Sequence, residues 1–177
     1  DLFIAGAAGD AGSLLINLGD GQFENSTGQP WEDHTGGEDM GALFFDADSD
    51  GDVDLYVTSG SVEHPSGHKL LKDRLYLNDG SGQFTTADGG ILPDLAESSG
   101  AVVAADYDND GDLDLFVGGR VIPGKYPLAP KSVLLRNDGG RFVDVTDQLA
   151  PGLSDAGLVT AALWSDVDSD SQIDLLI

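Results

Sequence analysis

The stretch Asp46-Ala47-Asp48-Ser49-Asp50-Gly51-Asp52-Val53-Asp54 puts a carboxylate at every second position and then turns apolar in Leu55-Tyr56-Val57. Carboxylates packed this closely repel one another unless a cation gathers them. A hard cation such as Ca²⁺ takes about six to eight oxygen ligands at roughly 2.3–2.6 Å, which a short loop supplies when carboxylates recur along its inner side and a glycine permits a sharp bend. Asp46, Asp48 and Asp50 occupy loop positions one, three and five, with Gly51 at six. Asp52 at seven offers its backbone carbonyl, and Asp54 falls at nine. The pattern predicts a calcium loop. An EF-hand is excluded, because position twelve is Val57 instead of a bidentate Glu and both flanks are rich in strand-forming residues.

The pattern recurs with a period of 60 residues, first as Asp106, Asp108, Asp110, Asp112 and Asp114, then as Asp166, Asp168, Asp170, Gln172 and Asp174. About three Ca²⁺ ions are therefore expected. The third loop departs twice, with Ser171 in the place of Gly51 and Gly111, and Gln172 in the place of Asp52 and Asp112. A left-handed bend is costlier for serine than for glycine, and the exchange at position seven removes a nearby negative charge, so the third site is expected to be the weakest. Other landmarks keep the period. Leu14 to Phe23, Leu75 to Phe84 and Leu134 to Phe142 share an Asn and a Gly-rich turn, with the asparagines at Asn17, Asn78 and Asn137. Asp1-Leu2-Phe3-Ile4 matches Asp54-Leu55-Tyr56-Val57 in phase, which predicts that the sequence begins within a repeat, and it ends within one at Asp174-Leu175-Leu176-Ile177.

The elements that must position these loops follow from runs of strand-forming residues and from turn residues. Gly41 to Phe45 is predicted as a first strand, Leu55 to Ser59 as a second, Arg74 to Asn78 as a third and Gln83 to Thr86 as a fourth. A four-stranded meander repeated along a chain is the signature of a propeller blade. The expected fold is thus all-β: a β-propeller segment with four-stranded antiparallel blades of about 60 residues and a calcium loop between the first and second strand of each. Residues 1–40 would complete one blade, 41–100 and 101–159 would form two more, and 160–177 would begin the next.

In such a meander the calcium loops and the Asn-containing turns share one face, and the connections from second to third strand lie on the other. Ser61 to Asp73 carries Glu63, His64, His68, Lys69 and Lys72; Arg120 to Lys131 carries Arg120, Lys125, Tyr126 and Lys131. These two loops hold five of the eight basic residues, on a chain whose net charge is −24. They predict a local site for an anionic group, since variable loops on a rigid scaffold are where binding usually sits. The global acidity argues against nucleic acid or an anionic membrane as partner. No apolar run approaches the ~20 residues of a membrane span. Without cysteine there are no disulfides and no thiolate-bound zinc.

The combination Asp-x-Asp-x-Asp-Gly-x-x-Asp-Leu with Leu-x-x-Asn-Asp-Gly-x-Gly-x-Phe resembles the FG-GAP/VCBS repeat of integrin-α-type β-propellers. Glu38 to Gly60 and Gly118 to Thr146 resemble more narrowly the large secreted bacterial VCBS proteins of the cartilage-acidic-protein and ASPIC/UnbV group. The resemblance implies a calcium-stabilised propeller of about seven blades, of which 177 residues supply about three, so the segment is expected within a larger chain or assembled with other copies of itself. Family members include adhesion receptors, lectins and some polysaccharide lyases, and fold alone does not choose among them.

Two functions compete. One is a non-catalytic extracellular module, secreted or at the cell surface, that binds a protein or glycan in adhesion with Ca²⁺ as a structural staple. The other is part of an enzyme acting on acidic glycans by lyase chemistry, for which Lys125, Tyr126 and His64 are the candidates for base and charge neutraliser. Among the remaining residues, Trp31 and Trp164 are expected as core or interblade anchors. His64 and His68, separated by Pro65 and Gly67, are not expected to ligate a transition metal. Asn25-Ser26-Thr27 is a glycosylation sequon relevant to a eukaryotic secretory setting. Gly36-Gly37, Gly89-Gly90 and Gly118-Gly119 are expected as turns.

Overall fold

The structure is a computed structural model that describes residues 1–87 and 89–177. β1 (Leu2–Ile4), β2 (Ser13–Gly19) and β3 (Gln22–Asn25) form a three-stranded sheet. β4 (Asp39–Phe45), β5 (Asp54–Ser59), β6 (Arg74–Asn78) and β7 (Phe84–Thr86) form a four-stranded one, as do β8 (Ser98–Ala105), β9 (Asp114–Val121), β10 (Val133–Asn137) and β11 (Phe142–Asp144). β12 (Leu163–Ser165) pairs with β13 (Asp174–Leu176). Every pairing among these strands is antiparallel and joins neighbours in the chain, so each sheet is a meander. Successive sheets meet through their first strands, β4 against β8 and β8 against β12.

The middle strands are buried on both faces because a sheet lies on each side. Along β5 the side-chain period of two sends Leu55 and Val57 toward the first sheet, where they join Leu14, Trp31, Tyr76 and Phe84. Tyr56 points the other way and packs with Val102, Leu115, Val117 and Leu135 of the third sheet. Each such apolar side chain, fully removed from water, contributes about 1.5–3 kcal/mol. This two-sided burial is what holds the sheets in fixed register with the loops at their ends.

Trp31 is 2% exposed and sits in the connection from β3 to β4, edge-on to Phe3 and to Tyr76 with ring centroids 5.4 Å apart in both cases. It is an anchor between the first and second sheets. Trp164, in β12, is half-buried; it stacks on Tyr107 and its Nε1 donates to the Val103 carbonyl at 3.3 Å, so it joins the last strand pair to β8.

One expectation fails. Gly118 and Gly119 are not a turn but lie inside β9. A Cβ at Gly118 would stand 2.6 Å from Val159 Cγ1, and one at Gly119 would stand 2.6 Å from the Lys131 carbonyl oxygen, so glycine serves close packing there. Gly89-Gly90 is a turn as expected. Among the described residues no helix is long and apolar enough to cross a membrane.

Candidate metal centres

Each acidic loop is closed by its last aspartate. Asp54 Oδ2 accepts from the Ala47 amide and Oδ1 from the Asn78 amide, both at 2.8 Å. Asp114 does the same for Tyr107 at 3.1 Å and Asn137 at 2.8 Å. Asp174 accepts from Val167 at 2.9 Å. The ninth position therefore ties the loop's start to its end and, in the first two loops, to the end of the third strand. Asp54 and Asp114 are fully buried, and that burial pushes both carboxyls up to about 6 against the opposing pull of the amides they accept from.

Inside the turn, backbone amides hold the first and fifth carboxylates inward. Gly51 donates to Asp46 at 3.0 Å and Asp52 to Asp50 at 2.9 Å; Gly111 donates to Asp106 at 3.1 Å and Asp112 to Asp110 at 2.9 Å. Ser171 and Gln172 repeat both bonds in the third loop. The bend takes two left-handed residues per loop. Gly51, Gly111 and Ser171 have φ of 94°, 102° and 69°, and position four is also left-handed, at Ser49 (62°), Asn109 (61°) and Ser169 (65°).

The outcome is three triads in which each residue offers an oxygen within 4.8 Å of the others: Asp46, Asp48 and Asp50; Asp106, Asp108 and Asp114; Asp166, Asp168 and Asp170. Asp54, Asp110 and Asp174 stand outside these triads, as do Asp52, Asp112 and Gln172 at position seven, whose expected contribution is a carbonyl. The Asp112 carboxylate is occupied elsewhere, accepting from Gly139 N at 2.9 Å and from the Ser49 hydroxyl of the preceding loop at 2.7 Å.

The residues fit a hard cation. Asp46 Oδ1 and Asp48 Oδ1 are buried and have no hydrogen-bond partner. Burial raises the Asp48 carboxyl above its ordinary range, and the neighbouring Asp50 charge adds to the rise. Buried charged oxygens without partners are costly, and an all-oxygen set with neither imidazole nor thiolate suits Ca²⁺ over a transition metal.

Sequence reasoning identified Asn78 and Asn137 only as landmarks of the repeat. Both brace the loops. Asn78 Nδ2 donates to the Val53 carbonyl at 3.1 Å while its Oδ1 accepts from Gly80 and Gly82. Asn137 Nδ2 donates to Leu113 O at 3.2 Å and Ala47 O at 2.9 Å, spanning two acidic loops. The signal was their fixed distance before each Gly-rich turn.

Residues 65–117 match the FG-GAP-like repeat family. The FG-GAP-like segment runs from the loop after β5 into β9 and so includes the whole second acidic loop, Asp106 to Asp114. No curated protein matches the chain.

On the opposite face the loop residues disperse. His64 and His68 stack face to face at 4.3 Å, and His68 Nδ1 accepts from the Leu70 amide. Lys131 pairs with Asp144 and Asp147, and Tyr126 stands 77% exposed.

Proposed function

We propose that this chain is an arc of a calcium-stapled β-propeller, working outside the cytoplasm as a non-catalytic module that binds a protein or glycan through the face opposite its metal loops. The observation that carries the reading is the pair of buried, unpartnered oxygens on Asp46 and Asp48 inside a carboxylate triad that recurs twice more. Asp46, Asp48 and Asp50 would hold one ion; Asp106, Asp108, Asp110 and Asp114 a second; Asp166, Asp168, Asp170 and Asp174 a third. The carbonyls of Asp52, Asp112 and Gln172 would complete the sets, and Asp54 would add to the first. Bound Ca²⁺ supplies positive charge that cancels the repulsion within each loop. Sites of this kind in extracellular modules work with dissociation constants of about 10⁻⁴–10⁻³ M, which suits the calcium outside cells.

The FG-GAP-like match supports an adhesion-type propeller, since such repeats are typical of extracellular proteins. The motifs of Glu38 to Gly60 and Gly118 to Thr146 favour the secreted bacterial VCBS group within that family. Leu2, Ile4 and Phe23 on the first sheet and Leu163 and Leu176 on the last are 42–59% exposed, and flanking blades of a ring or further copies would cover them. The lyase reading needs Lys125, Tyr126 and His64 to converge on one sugar, whereas His64 is engaged with His68.

The test is thermal unfolding of the calcium-loaded protein with and without excess chelator. Linkage between binding and folding predicts a sharp fall in Tm on chelation. Unchanged melting of a sample shown to begin metal-loaded would overturn the proposal.

A further inference from the structure

The loop from β5 to β6 meets the connection from β3 to β4 at a cavity of about 380 Å³ on the face opposite the acidic loops. Lys69, Lys72 and Arg74 line it together with His34 and Asp33. Three of the eight basic residues thus converge on one cleft of a chain with net charge −24.

Their availability differs. Arg74 is held in place, ion-paired with Asp39 and donating to Ser59 Oγ at 3.1 Å. Lys72 pairs with Asp94, but the two side chains are 49% and 80% exposed, so water and salt weaken the link and a competing anion can displace it. Lys69 is engaged by no carboxylate among the described residues.

His34 adds a neutral donor. Its Nδ1 lies 2.8 Å from the Tyr76 hydroxyl, and the positive charge of Arg74 acts on the same phenol. A cation beside a phenol makes it the better donor, so the Tyr76 proton is assigned to Nδ1 and the imidazole proton to Nε2. Burial, reinforced by the Arg74 charge, holds His34 below its ordinary value and keeps the ring neutral.

The cavity therefore offers two ammonium groups and an imidazole N–H, with the Asp33 carboxylate as acceptor. That mixture suits a ring bearing both a carboxylate and hydroxyls. A volume of about 380 Å³ is at the small end of ligand pockets, roughly 300–1,000 Å³, and exceeds what the carboxylate arm of a peptide side chain would fill. We propose that this inter-sheet cavity binds the hexuronate unit of an acidic glycan, with its carboxylate on Lys69 and Lys72 and a hydroxyl on Asp33. The inference rests on the reading of this face as the binding face and names the ligand class for it.

The test is an NMR titration of the calcium-saturated 177-residue protein with methyl glucuronoside, methyl glucoside, acetate and tetraglutamate. Methyl glucuronoside is expected to shift resonances around Lys69 and His34, with methyl glucoside and acetate each binding far more weakly. Loss of two charge-assisted hydrogen bonds in the double variant Lys69→Gln/Lys72→Gln should weaken glucuronoside binding by about tenfold or more, and Lys125→Gln should leave it unchanged. Equal binding of the glucoside, or of acetate, overturns the hexuronate assignment, as does tetraglutamate binding as tightly as the glucuronoside. Glucuronoside binding that survives the double substitution overturns this site while keeping the loop-face reading. No response to any probe overturns the site, and the calcium-linked melting remains a separate measurement of the scaffold.

Discussion

The Asn137 side-chain amide donates to the Ala47 carbonyl at 2.9 Å across 90 residues of sequence. The same nitrogen reaches Leu113 O, and the side-chain oxygen accepts from Gly140. One fully buried residue thus fixes the first and second acidic loops relative to each other. Asn137→Ala leaves buried carbonyls without donors, at about 1–3 kcal/mol. Urea unfolding should show that loss, and calorimetry should show weaker calcium binding at both loops. Asn78→Ala, whose amide reaches only its own loop at Val53, should weaken the first site alone. Equal effects of the two substitutions on the second site would contradict the bracing role.

The third loop should release its ion first. Ser171 occupies a φ of 69°, where Gly51 and Gly111 serve in the other loops, and a non-glycine residue there costs about 1 kcal/mol, or several-fold in affinity. All three carboxylates of its triad are exposed, unlike those of the first loop. In a chelator titration followed by calorimetry, the tightest event should disappear on Asp46→Asn or Asp106→Asn and persist in Asp166→Asn. Ser171→Gly should tighten the third site several-fold. A Ser171→Gly variant that binds no better would show that the bend is not what limits this loop.

The acidic loops and the strands around them were legible because both carry a plain pattern: carboxylates at alternate positions, and short continuous apolar runs in β5, β6, β9 and β10, the mark of strands buried on both faces. The third strand, Arg74 to Asn78, coincides with its expected span, and the others differ by one or two residues at their ends. What these local patterns did not carry was contact between residues apart in the sequence. Gly118-Gly119 carries a turn's composition, yet Val159 and Lys131, far along the chain, demand the missing side chains. The left-handed residues at Ser49 and Ser169 were likewise hidden, since serine gives a weak turn signal beside its aspartate neighbours, whereas Asn109 is of a type that favours that conformation. The cleft of Lys69, Lys72 and Arg74 was half legible: the basic loop was visible, but His34 and Asp33 come from the preceding connection.

Trp31 should be the costliest aromatic to lose. It fills the space between two sheets, in contact with Phe3, Tyr76 and Phe84, so Trp31→Ala should remove about 3–5 kcal/mol. Trp164 is half-buried with one stacking partner and one hydrogen bond, and Trp164→Ala should cost clearly less. Denaturant midpoints compare the two directly. A larger loss at Trp164 would mean that the interface between the first two sheets is not a principal core.

Asp73 should make stability fall as pH rises toward neutrality. Its carboxyl accepts from the Tyr56 hydroxyl at 3.0 Å and the Ser59 amide at 2.8 Å; burial pushes it up to about 7, against the pull of these donors and of Arg74. The corresponding position of the third sheet carries Ser132, which accepts from the Gly119 amide, beside Phe116 with no hydroxyl, so this titrating pair belongs to the second sheet. Because the folded value lies above the unfolded one near 3.8, folding takes up a proton between about pH 4 and pH 7. The stabilisation is complete below that window and is lost as pH rises through about 7. Asp73→Asn imitates the protonated acid and cannot ionise. Urea unfolding of both proteins at pH 5 and pH 8, at saturating calcium, should show the wild type losing stability relative to Asp73→Asn at the higher pH. Parallel pH profiles for the two would mean that Asp73 stays ionised in the fold, with Tyr56 and Ser59 holding it as a carboxylate.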